Sequence, residues 1–196
     1  MLSRVKCFLL SAAVVLAVAL TVGFFCGRDC SVKADNSNLP EEAASFMRRG
    51  WPTLTEGDLC FYDAVDIGAN RFVLMEVTGA EFKDTSLGLL RLQRGWNGRY
   101  RIESIGYGGG NFRNEAVEQN GQWYLLFGGR NAYFGIAQAE FQTEGEVYRL
   151  EVPQKERFLT VTELKGEPKI KHLLPVDQIR FYDTAGRDIT EEIPWN

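Results

Sequence analysis

Residues able to do acid–base, nucleophilic or metal chemistry are few in this chain, and fewer stand at a spacing that would let them work together. The only histidine, His172, sits in the basic stretch Lys169-Ile170-Lys171-His172, which reads as a solvated connection ahead of Pro175. No GxSxG elbow, HExxH pair or CxxC pair occurs. Ser104 falls in a predicted strand with no sequence-local base beside it. Carboxylates are plentiful, but no two stand apart from the rest as the acid and nucleophile of a glycosidase would. The reading is therefore of a protein without catalysis and without a cofactor.

A weak internal echo carries the best candidate for ligand binding. Asn97-Gly98-Arg99-Tyr100 leads to Tyr107-Gly108-Gly109-Gly110-Asn111-Phe112, and Asn120-Gly121-Gln122-Trp123 leads to Phe127-Gly128-Gly129-Arg130-Asn131. Glycines let a ligand approach the backbone, Asn111 and Asn131 offer amide contacts, and Arg113 and Arg130 suit an anion. Tyr107 and its aromatic neighbours suit stacking on a sugar ring. This makes Tyr107, Asn111, Arg113, Arg130 and Asn131 a candidate site for a glycan or anionic small molecule. The competing reading is structural: glycines in bulges and loops, aromatics alternating into a core.

Two further sets have structural readings. Asp183, Asp188, Glu191 and Glu192 lack the spacing of an EF-hand, and Asp183-Thr184-Ala185-Gly186 suits a type I turn capped by its own aspartate. No metal site is expected. Cys30 and Cys60 form a candidate disulfide that would tie the segment before the domain to its first strand.

The elements that position these residues begin with an uninterrupted apolar run, Cys7 to Cys26, CFLLSAAVVLAVALTVGFFC. At about 1.5 Å per helical residue it matches a ~30 Å hydrocarbon core. Arg4 and Lys6 precede it, which favours a cytoplasmic N-terminus. Residues 1–6 are then a cytoplasmic stub, 7–26 a transmembrane signal-anchor or signal peptide, 27–38 a tether, and 39–196 an extracytoplasmic β-rich domain. Val32-Lys33-Ala34 resembles a signal peptidase site, but the apolar run is longer than an ordinary signal core and ends well before it. Retention as a single-pass anchor is the first expectation; secretion after cleavage at Ala34 is the alternative. Neither Cys26 nor Cys30 has the small residues before it that lipidation needs.

The chain has 196 residues, 45% of them hydrophobic, enough for one well-buried core. Without residues 1–34 its 22 cations and 26 anions become 18 and 25, a net charge of −7. Such a domain is a poor partner for nucleic acid. The expected partners are the lipid bilayer, through residues 7–26, and a protein or glycan of the cell envelope.

The predicted fold is all-β, an antiparallel sandwich or barrel of about nine short strands with one short N-terminal helix. Asn38 caps the helix, Pro40 lies in its first turn and Gly50 stops it. Ala43, Phe46 and Met47 form its apolar stripe. Predicted strands are 59–65, 71–78, 87–93, 99–105, 122–127, 133–142, 146–152, 157–164 and 178–183. Two hairpins have a predicted register. A two-residue Asn97-Gly98 loop would set Leu92 against Glu103, whereas a three-residue Trp96-Asn97-Gly98 loop sets Leu92 against Ile102 and Arg91 against Glu103. The pleat therefore demands a type I turn with a left-handed Gly98 and a G1 bulge. Around Glu144-Gly145 a two-residue loop pairs Phe141 with Tyr148 and Ala139 with Leu150.

Overall fold

Two strands carry apolar side chains on both faces, and they set the architecture. The computed structural model describes residues 14–16, 23, 30–79, 85–143, 146–168 and 179–194. These contain one helix of nine residues, α1 (Leu39–Met47), and ten strands. The strands are β1 (Leu59–Ile67), β2 (Asn70–Val77), β3 (Ser86–Arg94), β4 (Tyr100–Gly108), β5 (Phe112–Gln119), β6 (Gln122–Arg130), β7 (Gln138–Thr143), β8 (Glu146–Glu151), β9 (Arg157–Leu164) and β10 (Ile179–Tyr182). They form three antiparallel sheets, in the orders β1-β2-β3-β4, β5-β6-β9 and β10-β7-β8.

β2 reads NRFVLMEV. Its Phe72 and Leu74 pack with Val117, Leu126 and Leu159 of the second sheet. Its Val73, Met75 and Val77 point the other way, onto Ala43, Ala44 and Met47 of α1. β6 repeats the device: Leu126 faces the first sheet, while Leu125 and Phe127 face the third. The layers therefore stack in the order helix, first sheet, second sheet, third sheet. A strand between two cores needs apolar residues at successive positions, which the near-continuous runs of β2 and β6 provide. The outermost core is aromatic: Phe127 meets Phe141 edge-on at 5.0 Å, and Phe112 lies 5.0 Å from Phe181. The sheets are open and stacked as in a sandwich, not closed into a barrel.

Both predicted registers are present except at one pair, Arg91 with Glu103. Leu92 pairs with Ile102, the loop hydrogen bond runs from the Gly98 N–H to the Gly95 carbonyl at 3.1 Å, and Gly98 has φ of 76°. A bulge then leaves Arg91 opposite Ser104, although its guanidinium still reaches Glu103 at 3.5 Å. Phe141 pairs with Tyr148 and Ala139 with Leu150. The strand missing from the sequence reading is β5, FRNEAVEQ: its few apolar residues are split between its two faces, Phe112 and Ala116 toward the third sheet and Val117 toward the first, so neither face shows an apolar alternation. The predicted strand 133–142 begins only at Gln138, because residues 131–137 form a loop.

The helix lies where expected but ends at Met47, short of Gly50, and its start also differs. Asn38 makes no side-chain cap. Its Oδ1 accepts from the Lys33 N–H at 2.8 Å and its amide donates to the Ser31 carbonyl at 3.1 Å. Phe46 is only half-buried and carries the Arg49 guanidinium over its ring. Leu39 and Ala44 complete the buried stripe.

Asn38 is engaged in this way because much of the expected tether is part of the domain. Val32 is fully buried and exchanges both backbone hydrogen bonds with Tyr100 at the edge of β4, at 2.8 and 2.9 Å. Cys30 is also buried. The sequence of this segment is polar and aperiodic, so only the tertiary contact reveals it. Among the described residues no helix is long and apolar enough to cross a membrane. The apolar run lies outside them except for residues 14–16 and 23, which are helical.

Candidate functional site

Glu76 is the one acidic residue inside the apolar run of β2, and it is buried. It stands where the first and second sheets meet. Tyr62, at a bulge in β1 between Phe61 and Ala64, shares its face by alternation with Cys60, which pairs with Glu76, and Tyr62 Oη donates to Glu76 Oε2 at 2.7 Å. From the second sheet, Arg130 Nε at the end of β6 donates to Oε1 at 2.6 Å. Arg157 at the start of β9 donates from Nε to Oε1 at 2.8 Å and from Nη2 to Oε2 at 3.4 Å. The Arg157 guanidinium also lies over the Tyr62 ring, 5.6 Å from its centre. Beside the clasp, Asp63 of the same bulge accepts from Lys155 Nζ at 3.0 Å.

The electrostatics follow from this geometry. Burial pushes the Glu76 carboxyl up, but hydrogen bonds from Arg157, Tyr62 and Arg130 outweigh it and hold the group below the usual glutamate range. Burial, then the hydrogen bond to Glu76 and its charge, pushes the Tyr62 phenol up to about 12. Burial acts to lower Arg157, and its bonds to Glu76 reverse the sign and raise it.

Arg130 and Asn111, predicted as site residues, do come together. Arg130 Nη1 donates to Asn111 Oδ1 at 3.3 Å and Nη2 to the Thr85 carbonyl at 2.8 Å. Asn111 donates its amide to the Pro194 carbonyl at 2.8 Å. Arg113 is close by, and all its hydrogen bonds go to backbone carbonyls: Leu87 at 3.0 Å, Phe112 at 2.7 Å and Gly109 at 2.7 Å. Burial, with the charge of Arg130, lowers its pKa. These groups hold the ends of strands together, and their donors are directed inward.

The other two predicted residues are elsewhere. Asn131 is buried under the 131–137 loop, accepting from the Ile136 N–H at 2.8 Å and donating to the Ile136 carbonyl at 2.8 Å. Tyr107 lies on the helix side of the first sheet, edge-on to Trp51 at 5.2 Å. The five residues do not share one concavity. The glycines of the second motif are in β6 rather than in a loop: a Cβ on Gly128 would come within 3.0 Å of the Phe158 carbonyl and 3.1 Å of Leu74 Cδ1, and one on Gly129 would collide with Phe112. Close packing between strands and sheets, not ligand access, explains them.

The proposed disulfide is absent. Cys30 and Cys60 are both free, the first buried and the second exposed. Cys60 pairs with Glu76, which faces Leu87, while the Cys30 sulfur sits against Gly95. Leu87 and Gly95 are eight residues apart along β3, roughly 25 Å, far beyond the ~7 Å Cα limit for a bridge. Asp183 makes the expected turn, accepting from the Ala185 and Arg187 N–H groups at 2.9 Å, and Asp188 accepts from Thr190. Among the described residues no group of three or more His, Cys, Asp or Glu is placed to hold a metal, and no buried polar side-chain atom lacks a partner. His172 and the Lys169–His172 stretch lie outside the described residues.

The sequence reading missed Glu76, Tyr62 and Arg157. The signal for Glu76 was present, since a charged residue inside a strand buried on both faces must be paired. Its partners are 14, 54 and 81 residues away, and no local pattern links them. No family model, curated protein or solved structure matches this chain.

Proposed function

We propose that this chain is a membrane-anchored β-domain protein of the cell envelope that acts by contact rather than by catalysis. The observation that carries the reading is the pairing of Val32 with Tyr100. It extends the domain back at least to Cys30, four residues after the apolar run ends at Cys26. Four residues extend about 14 Å at most. A retained anchor would thus hold the domain against the bilayer, not at the end of a flexible tether.

The polar clusters favour contact over chemistry. Glu76, Arg130, Arg157, Arg113 and Asn111 direct their polar groups at one another and at strand ends. The outward-facing feature at that end is different: Tyr133 is 94% exposed on the loop that Asn131 braces from beneath. A rigid aromatic on a pre-organised loop suits a protein or glycan partner. It lies at the opposite end of β6 from the β3–β4 hairpin, about 25 Å away along the strand.

Cleavage at Ala34 would remove Val32 and Cys30 from the folded domain, so the reading favours retention. The test is the intact mass of the full-length protein recovered separately from membranes and medium. An intact N-terminus in carbonate-washed membranes agrees with the proposal. A mature chain beginning at Asp35 and recovered from the medium overturns it.

A further inference from the structure

The β3–β4 hairpin ends in Gly95-Trp96-Asn97-Gly98-Arg99, and Trp96 is 73% exposed at its tip. The hairpin touches the incoming chain twice. The Trp96 indole lies against Gly23 of the apolar run, where a Cβ would sit 3.4 Å from Cζ2. One residue earlier, Gly95 packs on Cys30 so closely that a Cβ would come within 2.5 Å of the sulfur. Trp96 is thus held at the point where the apolar run gives way to the domain. Residues 94–101 also carry Arg94, Arg99 and Arg101 and no acidic residue, in a domain whose net charge is −7 without residues 1–34.

We infer that the tip of the β3–β4 hairpin is a bilayer-contacting element, with Trp96 seated in the headgroup region and Arg94 and Arg99 against lipid phosphates. This rests on the membrane-anchored reading above. An indole has an apolar body and one N–H donor, which suits the interface between hydrocarbon and water. Arginines beside it match the negative surface of a phospholipid bilayer, and the acidic remainder of the domain is repelled by that surface. The two effects turn the same end of the stack inward: the end bearing the turns Gly68-Ala69 and Asn120-Gly121, where Asn70 hydrogen-bonds Gln119 at 2.8 Å. The 131–137 loop with Tyr133 is left facing away.

The test uses the full-length chain reconstituted in vesicles of equal phosphatidylcholine and phosphatidylglycerol. The Trp96 emission is read as the difference between wild type and Trp96→Phe, which needs no change at the other tryptophans. The expected result is a blue-shifted difference spectrum, quenched by lipids brominated near the carbonyl region more than by lipids brominated at the chain ends. Arg94→Glu with Arg99→Glu is expected to reduce that quenching. A vesicle-bound protein whose Trp96 is quenched by aqueous iodide instead overturns the inference and leaves the anchored reading standing. Unchanged quenching in the double Arg variant overturns the headgroup contact. A protein that carbonate strips from the vesicles overturns the anchored reading itself.

Discussion

Replacing Glu76 with Gln tests whether the buried clasp holds the first and second sheets together. The substitution keeps the shape, removes the charge and converts one oxygen into an NH₂ group. Oε1 accepts from Arg130 and Arg157, and Oε2 from Tyr62 and Arg157. Whichever position the amide nitrogen takes, it faces donors. Breaking a fully buried ion pair costs about 3–5 kcal/mol. Arg130 and Arg157 keep 20% and 23% of their side-chain exposure, so water recovers part of their charge. The expected loss is about 2–3 kcal/mol, which for a domain of this size lowers Tm by about 5–10 °C. Urea unfolding followed by tryptophan fluorescence measures it. The pH dependence supplies an independent check. Glu76 is held below its ordinary value of 4.5, because its hydrogen bonds outweigh the effect of burial. Its stabilisation is therefore complete above the unfolded value and disappears as pH falls through the folded one. Wild type and variant should differ by a constant amount from about pH 6 to 8 and converge in acid. A difference at neutral pH under about 0.5 kcal/mol, the scale of an ordinary surface substitution, would refute the argument, as would a gap that persists undiminished in acid.

Three more outcomes follow from the same geometry. Tyr62, raised to about 12, holds its proton more tightly in the folded state; the stability of wild type relative to Tyr62→Phe should be steady below pH ~10 and decline as pH rises from there through 12, as measured by urea unfolding. Val32→Ala deletes two methyl groups from a fully buried site and should lower stability by about 2 kcal/mol, whereas the same change in a flexible tether would have no effect on the urea midpoint. Gly95→Ala should destabilise by about 1–3 kcal/mol through its clash with the Cys30 sulfur, and Cys30→Ala in the same chain should recover most of that loss. An additive double variant would show that the two residues do not touch.

The strand pattern was largely legible because it depends on local features. Turn residues such as Asn97-Gly98 and alternation such as that of β8 set the elements, and the pleat alone selected the correct hairpin register. β5 escaped because FRNEAVEQ splits its few apolar residues, Phe112 and Ala116 against Val117, between two faces. Segment 30–38 escaped because Val32 has no periodic neighbours; its burial depends on the edge of β4 at Tyr100, 68 residues later in the chain. The candidate site was legible only in part. Arg130 and Asn111 were singled out and do meet, but as constituents of a structural network, while Tyr107 lies on the helix side of the first sheet and Asn131 turns into its own loop.

Sequence alone determined what short-range physics dictates: a long apolar run near the N-terminus, one short helix, and antiparallel strands separated by identifiable turns. The tertiary structure decided everything that required two distant strands to be neighbours. It decided that β2 and β6 each serve two cores, which stacks three sheets rather than closing one. It decided that Gly128 and Gly129 are points of close approach and not a ligand loop. It decided that Glu76 finds Tyr62, Arg130 and Arg157, a meeting no spacing along the chain records. The reason is that a β-strand specifies its own alternation but not its partner. Which faces meet is settled only when the whole set of apolar surfaces is buried at once.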